Sequence, residues 1–568
     1  MTNLLYNTQS ADNHTTHQVE NQPPPLENYD LFEQDAALSE AVKREEANWA
    51  TASLHQLGTL AGTAEAIRWG FEANKYPPVL QTHDRFGHRL DEVDFHPSWH
   101  HLLETAVNYG IHASPWREPQ PGAHVARAAA MYLWSQVEGG QGCPISMTYA
   151  AIPVIRNQWQ SSVAHTWEAR LTSLDYNPAL NPATPKTSAL CGMAMTEKQG
   201  GSDVRANTTY ALPINGGGGE YLLTGHKWFC SAPMCDVFLV LAQTTASNHA
   251  KAGLSCFLLP RILPDGTHNR FAIQRLKDKL GNRSNASSEV EFDNAWAILV
   301  GQAGRGVATI IEMVNYTRLD CILGSAALMR QAVAQATHHA AYRQTFGRKL
   351  IDQPLMQNVL ADLALESEAA TIWGLRLAAA CDRAATNEHE ARLKRLGTAI
   401  AKYWVTKRAP AHTAEALECL GGNGYVEESI MPRLYREAPL NSVWEGSGNI
   451  NCLDVLRAMQ KEPEAVEAYF EEIATLAGGM DKRLDNAVTQ IKDQLAQPEQ
   501  LEERARRVVE QLALVMQGAL MLKYAPQAVS EAFVASRLAG DWGRAFGTLP
   551  VGLDLKAIVE RSRPKLNV

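Results

Sequence analysis

Apolar residues recur along this chain with two different periods, and the change between them divides it. From about Leu31 to Leu180 the spacing is mainly helical, with alanine-rich stretches such as Ala123–Trp134. After Leu190 short β-rich runs take over: Tyr221–Thr224, Val237–Leu241 and Leu254–Leu259, with Ser288–Phe292 alternating in strand period. Helical spacing returns after Gly306, where Met329, Ala332, Val333, Ala336 and Ala340 share one face, and it continues to about Arg457. A last section opens acidic and closes in helices, with Val508, Leu512, Val515, Ala519 and Leu522 on one stripe. The pattern predicts a mainly α chain with a central β-domain, and no internal repeat. Its expected units are an N-terminal extension (1–30), a helical domain (31–185), a β-barrel or sandwich (186–300), a helix bundle (301–457) and a C-terminal helical extension (458–568).

Bulk properties narrow the setting. A chain of 568 residues is too long for one compact core. No apolar run approaches the roughly 20 residues of a membrane helix, and Met1–Val19 lacks the apolar centre of a secretory signal. Nine scattered cysteines without a C-x-x-C pair point to reduced thiols and a cytoplasmic location. A net charge of −9 gives no overall attraction to nucleic acid or anionic membrane, so such binding requires a local basic patch. Residues 1–20 read as disordered or strand-like, and Gln22-Pro23-Pro24-Pro25 as a stiff extended segment. Asn215–Gly219 reads as a hairpin turn, because neither a helix start nor Lys-Ser/Thr follows it as in a phosphate loop. His100-His101 and His338-His339 suggest no metal, since adjacent helical side chains diverge by about 100°.

Three segments carry candidate chemistry. In Met195–Asp203, a Gly-Gly-Ser-Asp turn lets backbone amides approach a ligand, although alone it is equally an ordinary turn. In Gly225–Ser231, Phe229 and Ser231 point to one face of a strand, where they either line a flat heteroaromatic ring or form a core phenylalanine with a rim serine. In Trp444–Asn449, preceded by Leu420–Tyr425, Glu445 sits beside a glycine-flanked turn. Apolar surroundings would raise its pKa and make it a base; the alternative is a helix-start glutamate that satisfies backbone donors.

Taken with Lys279–Arg283 and Arg343–Gly347, these segments fall in an order that resembles the acyl-CoA dehydrogenase family from Leu180 to Arg457. The resemblance implies that family's fold: an N-terminal helical domain, a β-barrel or sandwich and a C-terminal four-helix bundle, here with an extra helical domain. It implies FAD, with Met195, Thr196, Gly201, Ser202, Phe229, Cys230 and Ser231 on the β-domain side of the cofactor and Gly422, Trp444, Ser447 and Asn449 near the base. Arg343 and Phe346 would reach the FAD of a neighbouring subunit. Glu445 would take an α-proton from an acyl thioester while a hydride leaves the β-carbon for the flavin. Some branches carry the base on an earlier helix, but the matching place here is Thr317, which cannot deprotonate a carbon acid. Three departures stand out: Lys198 replaces the usual proline, Phe229 the usual tryptophan and Glu418 a usual glutamine.

The run to Val568 and the wording of Gly192–Val204, Arg275–Phe292 and Arg433–Val455 resemble one branch, the bacterial alkylation-response flavoproteins. That resemblance implies a homotetramer that binds double-stranded DNA without sequence preference and protects it by flavin chemistry or by shielding. From Arg504 onward, ten basic residues oppose five acidic ones, the asymmetry that phosphate binding requires, although a solvated helical tail would look the same. Arg457, Arg537 and Arg544 are the expected DNA contacts. The competing expectation is a metabolic dehydrogenase of short or branched acyl thioesters, with no DNA role and a tail that serves assembly.

Overall fold

The computed structural model describes residues 16–566 apart from 160–161, 215–218, 245–252 and 498. Most of the expected turn at Asn215–Gly219, and residues 1–15 of the polar N-terminus, therefore lie outside the described residues.

The central β-domain closes on itself. Strand Glu220–Ser231 pairs antiparallel with Tyr210–Pro213 on one side and Ser287–Val300 on the other. Ser287–Val300 continues to Gly253–Pro260, which pairs with Val237–Thr244, and that strand returns in parallel to Tyr210–Pro213. Of the two architectures left open by the sequence, a closed ring is the one formed, and closure removes the exposed edges of an open sheet. Cys191–Ala194 joins Val237–Thr244 in parallel, and Phe271–Leu276 pairs with the outer part of Ser287–Val300. A hairpin in the N-terminal half, Val79–His83 with Arg89–Asp94, was not predicted. Its residues are largely polar and only partly buried, so no apolar alternation announces it.

Three long helices frame the second half: Gly306–Tyr342, Pro354–Arg383 and Glu388–Glu418. The five residues assigned to one face of the first are all buried. Two buried arginines of the frame are matched by carboxylates. The Arg127 guanidinium engages both Asp320 carboxylate oxygens, and Arg376 binds Glu390 and Glu472 at 2.8 and 2.7 Å.

The C-terminal section does not hang from this frame; it completes it. Helix Gly448–Lys461 runs through the expected boundary at 457/458. Helix Ala505–Tyr524 packs against Glu388–Glu418, Pro354–Arg383 and Gly448–Lys461, and Trp404 Nε1 donates to Gln517 Oε1 at 2.9 Å. Near the C-terminus, Arg561 binds Glu40 and Glu368 at 2.7 and 2.9 Å, and Arg330 donates to the Ser562 carbonyl. Residues 561–562 are thus locked to the bundle and to the N-terminal helix Ala36–Arg44.

Arg537 corrects one expectation. Its side chain is fully enclosed and bonded to Asp362 at 2.5 Å and Glu366 at 3.4 Å, so it cannot reach a DNA phosphate. Removing one partner of a buried pair leaves uncompensated charge, here on two carboxylates. Arg537→Ala is expected to lower the unfolding free energy of the full chain by about 3–5 kcal/mol, read from urea denaturation. An unchanged midpoint would show that the pair is not a stabilising element. The exposed Arg544→Ala should shift stability by less than about 0.5 kcal/mol.

Candidate active site

Two surfaces meet at the candidate site: a strand of the β-ring and a turn that leads into helix Gly448–Lys461. On the strand, residues alternate in and out. The Phe229 ring is 50% exposed and Ser231 half-buried, while Cys230 between them is wholly buried. Only the backbone of Cys230 is therefore available to a ligand on this face.

The Met195–Asp203 segment is pinned by Glu197, the second residue of the Thr-Glu pair. This carboxylate is completely buried and accepts from Thr208 N at 2.7 Å, Thr209 N at 3.1 Å and Lys227 Nζ at 2.9 Å. Burial pushes its pKa up, but the Lys227 charge and these donors outweigh it and pull the carboxyl down to about 2. Lys227 also donates to the Leu241 carbonyl, so the loop is tied across the ring. Met195 and Thr196 stay half-buried, whereas Gly201 and Ser202 are exposed. Gly200 takes φ +125°, and a Cβ there would meet nothing within 4 Å, so the turn opens toward free space. The Lys198 amide donates to His226 Nε2 at 3.1 Å, a bond unavailable to the proline expected at this place.

Glu445 has φ +55°, the left-handed region that non-glycine residues rarely adopt. Each carbonyl of its turn is held. Lys402 Nζ donates to the Trp444 and Gly446 carbonyls at 2.7 and 2.5 Å, and Arg318 Nε donates to the Glu445 carbonyl at 3.0 Å. Asn451 Nδ2 takes the Gly446 and Ser447 carbonyls, and Trp444 Nε1 donates to Asn441 Oδ1. The Thr317 hydroxyl donates to Glu445 Oε2 at 2.8 Å, so the residue that stands at the alternative base position supports the base instead. Burial raises the Glu445 pKa; the Thr317 bond and the Lys402 and Arg318 charges restrain the rise.

Cys143, at the start of helix Gly142–Gln158, joins the two surfaces. Burial pushes its thiol up to about 11, with Ser231, Lys279 and Asn285 restraining the rise and the Glu445 charge adding to it. The Asn285 side chain is itself buried, with both amide atoms unpaired in the protein. Sequence reasoning missed Cys143, Asn285, Lys402 and the clamping role of Arg318. Only Lys402 left a signal, a lone charge in the apolar run Ala399–Val405.

Other expected cofactor residues lie elsewhere in the chain. Arg343 and Phe346 belong to a two-residue hairpin, Gln344–Thr345 with Arg348–Lys349, turned by Phe346 at φ +52° and Gly347 at φ +75°. The Phe346 ring is 98% exposed. The hairpin binds the N-terminal segment: Arg343 donates to the Asn21 carbonyl at 2.6 Å, and the Asn21 side chain brackets the Gln344 backbone. Gln22 Oε1 accepts from Asn423 in the glycine-rich turn Gly421–Gly424, so one strap ties both elements. Gly422, Ser447 and Asn449 are exposed. Arg457 and Arg544 are exposed, as a phosphate contact requires.

The residues present fit FAD. A large aromatic surface is left open at Phe229 beside the Ser231 hydroxyl, and an added Cβ at Gly200 or Gly422 would meet no protein atom within 4 Å. No helix among the described residues is long and apolar enough to cross a membrane.

Comparison with known proteins gives this geometry its family. Residues 21–178 match the adaptive response protein AidB N-terminal domain, 192–295 the acyl-CoA dehydrogenase middle domain and 304–460 its C-terminal domain. AidB of Escherichia coli (strain K12) is 48% identical over 91% of this chain and 94% of its own length. Acyl-CoA dehydrogenase family member 11 of Caenorhabditis elegans is 29% identical over 82% of this chain and 78% of its own. The solved structure of Caenorhabditis elegans ACDH-11 in complex with C11-CoA superposes with a TM-score of 0.85 at 27% identity, covering 94% of this chain and 95% of that one. The chain belongs to the acyl-CoA dehydrogenase family, in the branch that carries the AidB N-terminal domain, and is an FAD-dependent oxidoreductase of that type.

Proposed function

We propose that Glu445 is the base of an acyl-CoA dehydrogenation, and that the same protein binds duplex DNA as part of the response to alkylation. The observation that carries the first half is a single carboxylate in a left-handed turn whose carbonyls are clamped by Lys402 and Arg318 and whose Oε2 accepts from Thr317. FAD would be held by Met195, Thr196, Gly201, Ser202, Phe229 and Ser231 with the Cys230 backbone, and by Gly422, Trp444, Ser447 and Asn449; when bound it supplies the hydride acceptor. Glu445 accepts the α-proton of an acyl thioester. Its raised pKa makes it a stronger base than an exposed carboxylate, and the clamp spares it reorganisation at the moment of transfer. The ligand in the ACDH-11 structure supports an acyl-CoA as substrate. The fully exposed Phe346, presented on a tied hairpin, supports contact with the cofactor of another subunit in a homotetramer.

The DNA reading rests on exposed cations in the second half of the chain. Lys407 and Arg506 converge where helix Gly448–Lys461 begins: a Cβ at Gly448 would lie 3.0 Å from Lys407 Cε and 3.6 Å from Arg506 Nη2. Arg507, Arg544 and Arg457 are further exposed cations of this half. A helix start and flexible cations attract phosphate without reading bases. Arg561 and Arg563, engaged with Glu368 and Glu560, are already neutralised and contribute little. The relationship to AidB, whose N-terminal domain is described as that of an adaptive response protein, supports placing this activity in alkylation stress.

Two measurements on the full-length holoprotein test this reading. Glu445→Gln is expected to cut turnover of an acyl-CoA by about 10²–10⁴-fold while DNA affinity stays unchanged; turnover at the wild-type rate would remove Glu445 from the mechanism. In the wild type a carboxyl pKa above 4.5 must be passed before the base is free, so kcat/KM should rise with pH along a limb that lies above that value. By fluorescence anisotropy across a salt series, Arg457→Ala should weaken binding to all duplexes alike and reduce the log–log slope by about one. A loss confined to particular sequences would contradict non-specific binding.

A further inference from the structure

The turn that carries Glu445 is held by two cations, and they are not equivalent. Arg318 lies 2.6 Å from Asp454, which also binds Arg395 at 3.0 Å, so its charge is offset inside a network. Lys402 has no such partner: among the described residues no carboxylate lies within the 4.0 Å of an ion pair, and its bonds to the turn go to the Trp444 and Gly446 carbonyls. It is 1% exposed, between buried Ile400, Ala401, Tyr403, Trp404 and Val405 on helix Glu388–Glu418. An ammonium buried against neutral carbonyls is costly, and a glutamine or a shorter donor could satisfy the same carbonyls without that cost. A charge retained in such a place points to a use for charge.

We infer that Lys402 is a positioning residue for the dehydrogenation: its buried ammonium, bonded to the carbonyls on either side of Glu445, fixes the left-handed turn that aims the carboxylate and supplies the uncompensated positive charge that acts on it. The inference rests on Glu445 being the base. The groups that act on or around the carboxylate can be named element by element. Thr317, Arg318 and Cys321 come from helix Gly306–Tyr342, Cys143 from helix Gly142–Gln158, Lys279 from the segment before strand Ser287–Val300, Asp454 from helix Gly448–Lys461, and Lys407 from the helix of Lys402 itself. Cys143 and Cys321 are buried thiols pushed above the ordinary range, hence neutral, and the Lys279 ammonium is bonded to the Asn285 carbonyl and Ser287. Burial draws Lys402 itself down to about 8, while Cys321 and Glu445 oppose that shift.

The sign follows. A positive charge beside a carboxylate lowers the carboxyl pKa, so removing it raises that pKa and narrows the pH range in which the base is free. Lys402→Gln keeps hydrogen-bond donors and removes the charge; Lys402→Met removes both. Each is tested as full-length holoprotein, with flavin content and melting temperature measured first. For Lys402→Gln the KM for acyl-CoA should stay within about twofold while the acid limb of kcat moves up by about one pH unit, with turnover recovering at high pH. For Lys402→Met, kcat should fall at least about tenfold at every pH, since the turn is no longer held. A Gln variant with the wild-type limb overturns the inference, and so does loss of flavin by both variants; either result makes the lysine a strut of the fold alone. Glu445→Gln run beside them separates the two claims. If it retains turnover, the base assignment fails; if it is inactive while Lys402→Gln has the wild-type profile, only the role of Lys402 fails.

Discussion

The candidate site depends on one buried interaction: a lysine ammonium shared between two backbone carbonyls two positions apart. Glu445 lies between them in a conformation that an L-residue adopts only under constraint. Without Lys402 and Arg318 the turn would leave carbonyls unpaired in a closed interior, and its glutamate could relax to a commoner backbone region. With them, a carboxylate is held in a setting where burial raises its pKa and the Thr317 bond and the two cations restrain the rise. The helices that supply the two cations, Glu388–Glu418 and Gly306–Tyr342, are the longest packed pair of the bundle. The bundle is thus the rigid support on which the base depends.

The same frame explains why the C-terminal section cannot be treated as an attachment. Helix Gly448–Lys461 begins at the turn of Glu445 and ends in the section expected to bind DNA, and Ala505–Tyr524 packs on the helix that carries Lys402. Arg537, Arg561 and Arg563 are spent on ion pairs within the chain, so fewer cations are free than the residue count suggests; Lys407 and Arg506 converge at the start of helix Gly448–Lys461. Any DNA lying there would contact elements that also hold the active site. The two proposed activities therefore have to be separated by point substitutions, because deletion of the section would expose the apolar side of the bundle.

Much of the fold was legible because burial imposes period. The strands after Leu190 and the buried face of Gly306–Tyr342 follow their apolar spacing, and the motif turns follow their glycines. The hairpin Val79–Asp94 was not legible, because its half-buried polar residues carry no period. Charge counting misjudged Arg537, since a sequence does not say which arginine meets Asp362 and Glu366 across some 170 residues. Glu445 was legible from its turn, whereas its clamp was not. Lys402 and Arg318 lie 43 and 127 positions away and are defined only by the carbonyls they meet.

Proton removal by Glu445 can be observed apart from redox chemistry. The holoprotein, incubated in deuterated water with an acyl-CoA analogue that cannot release a β-hydride, should exchange the α-hydrogens of the analogue with solvent. The exchange, followed by mass spectrometry, should be abolished in Glu445→Gln while the analogue still binds. Exchange in that variant at the wild-type rate would show that another group removes the proton, and the clamped carboxylate would lose its place in the mechanism.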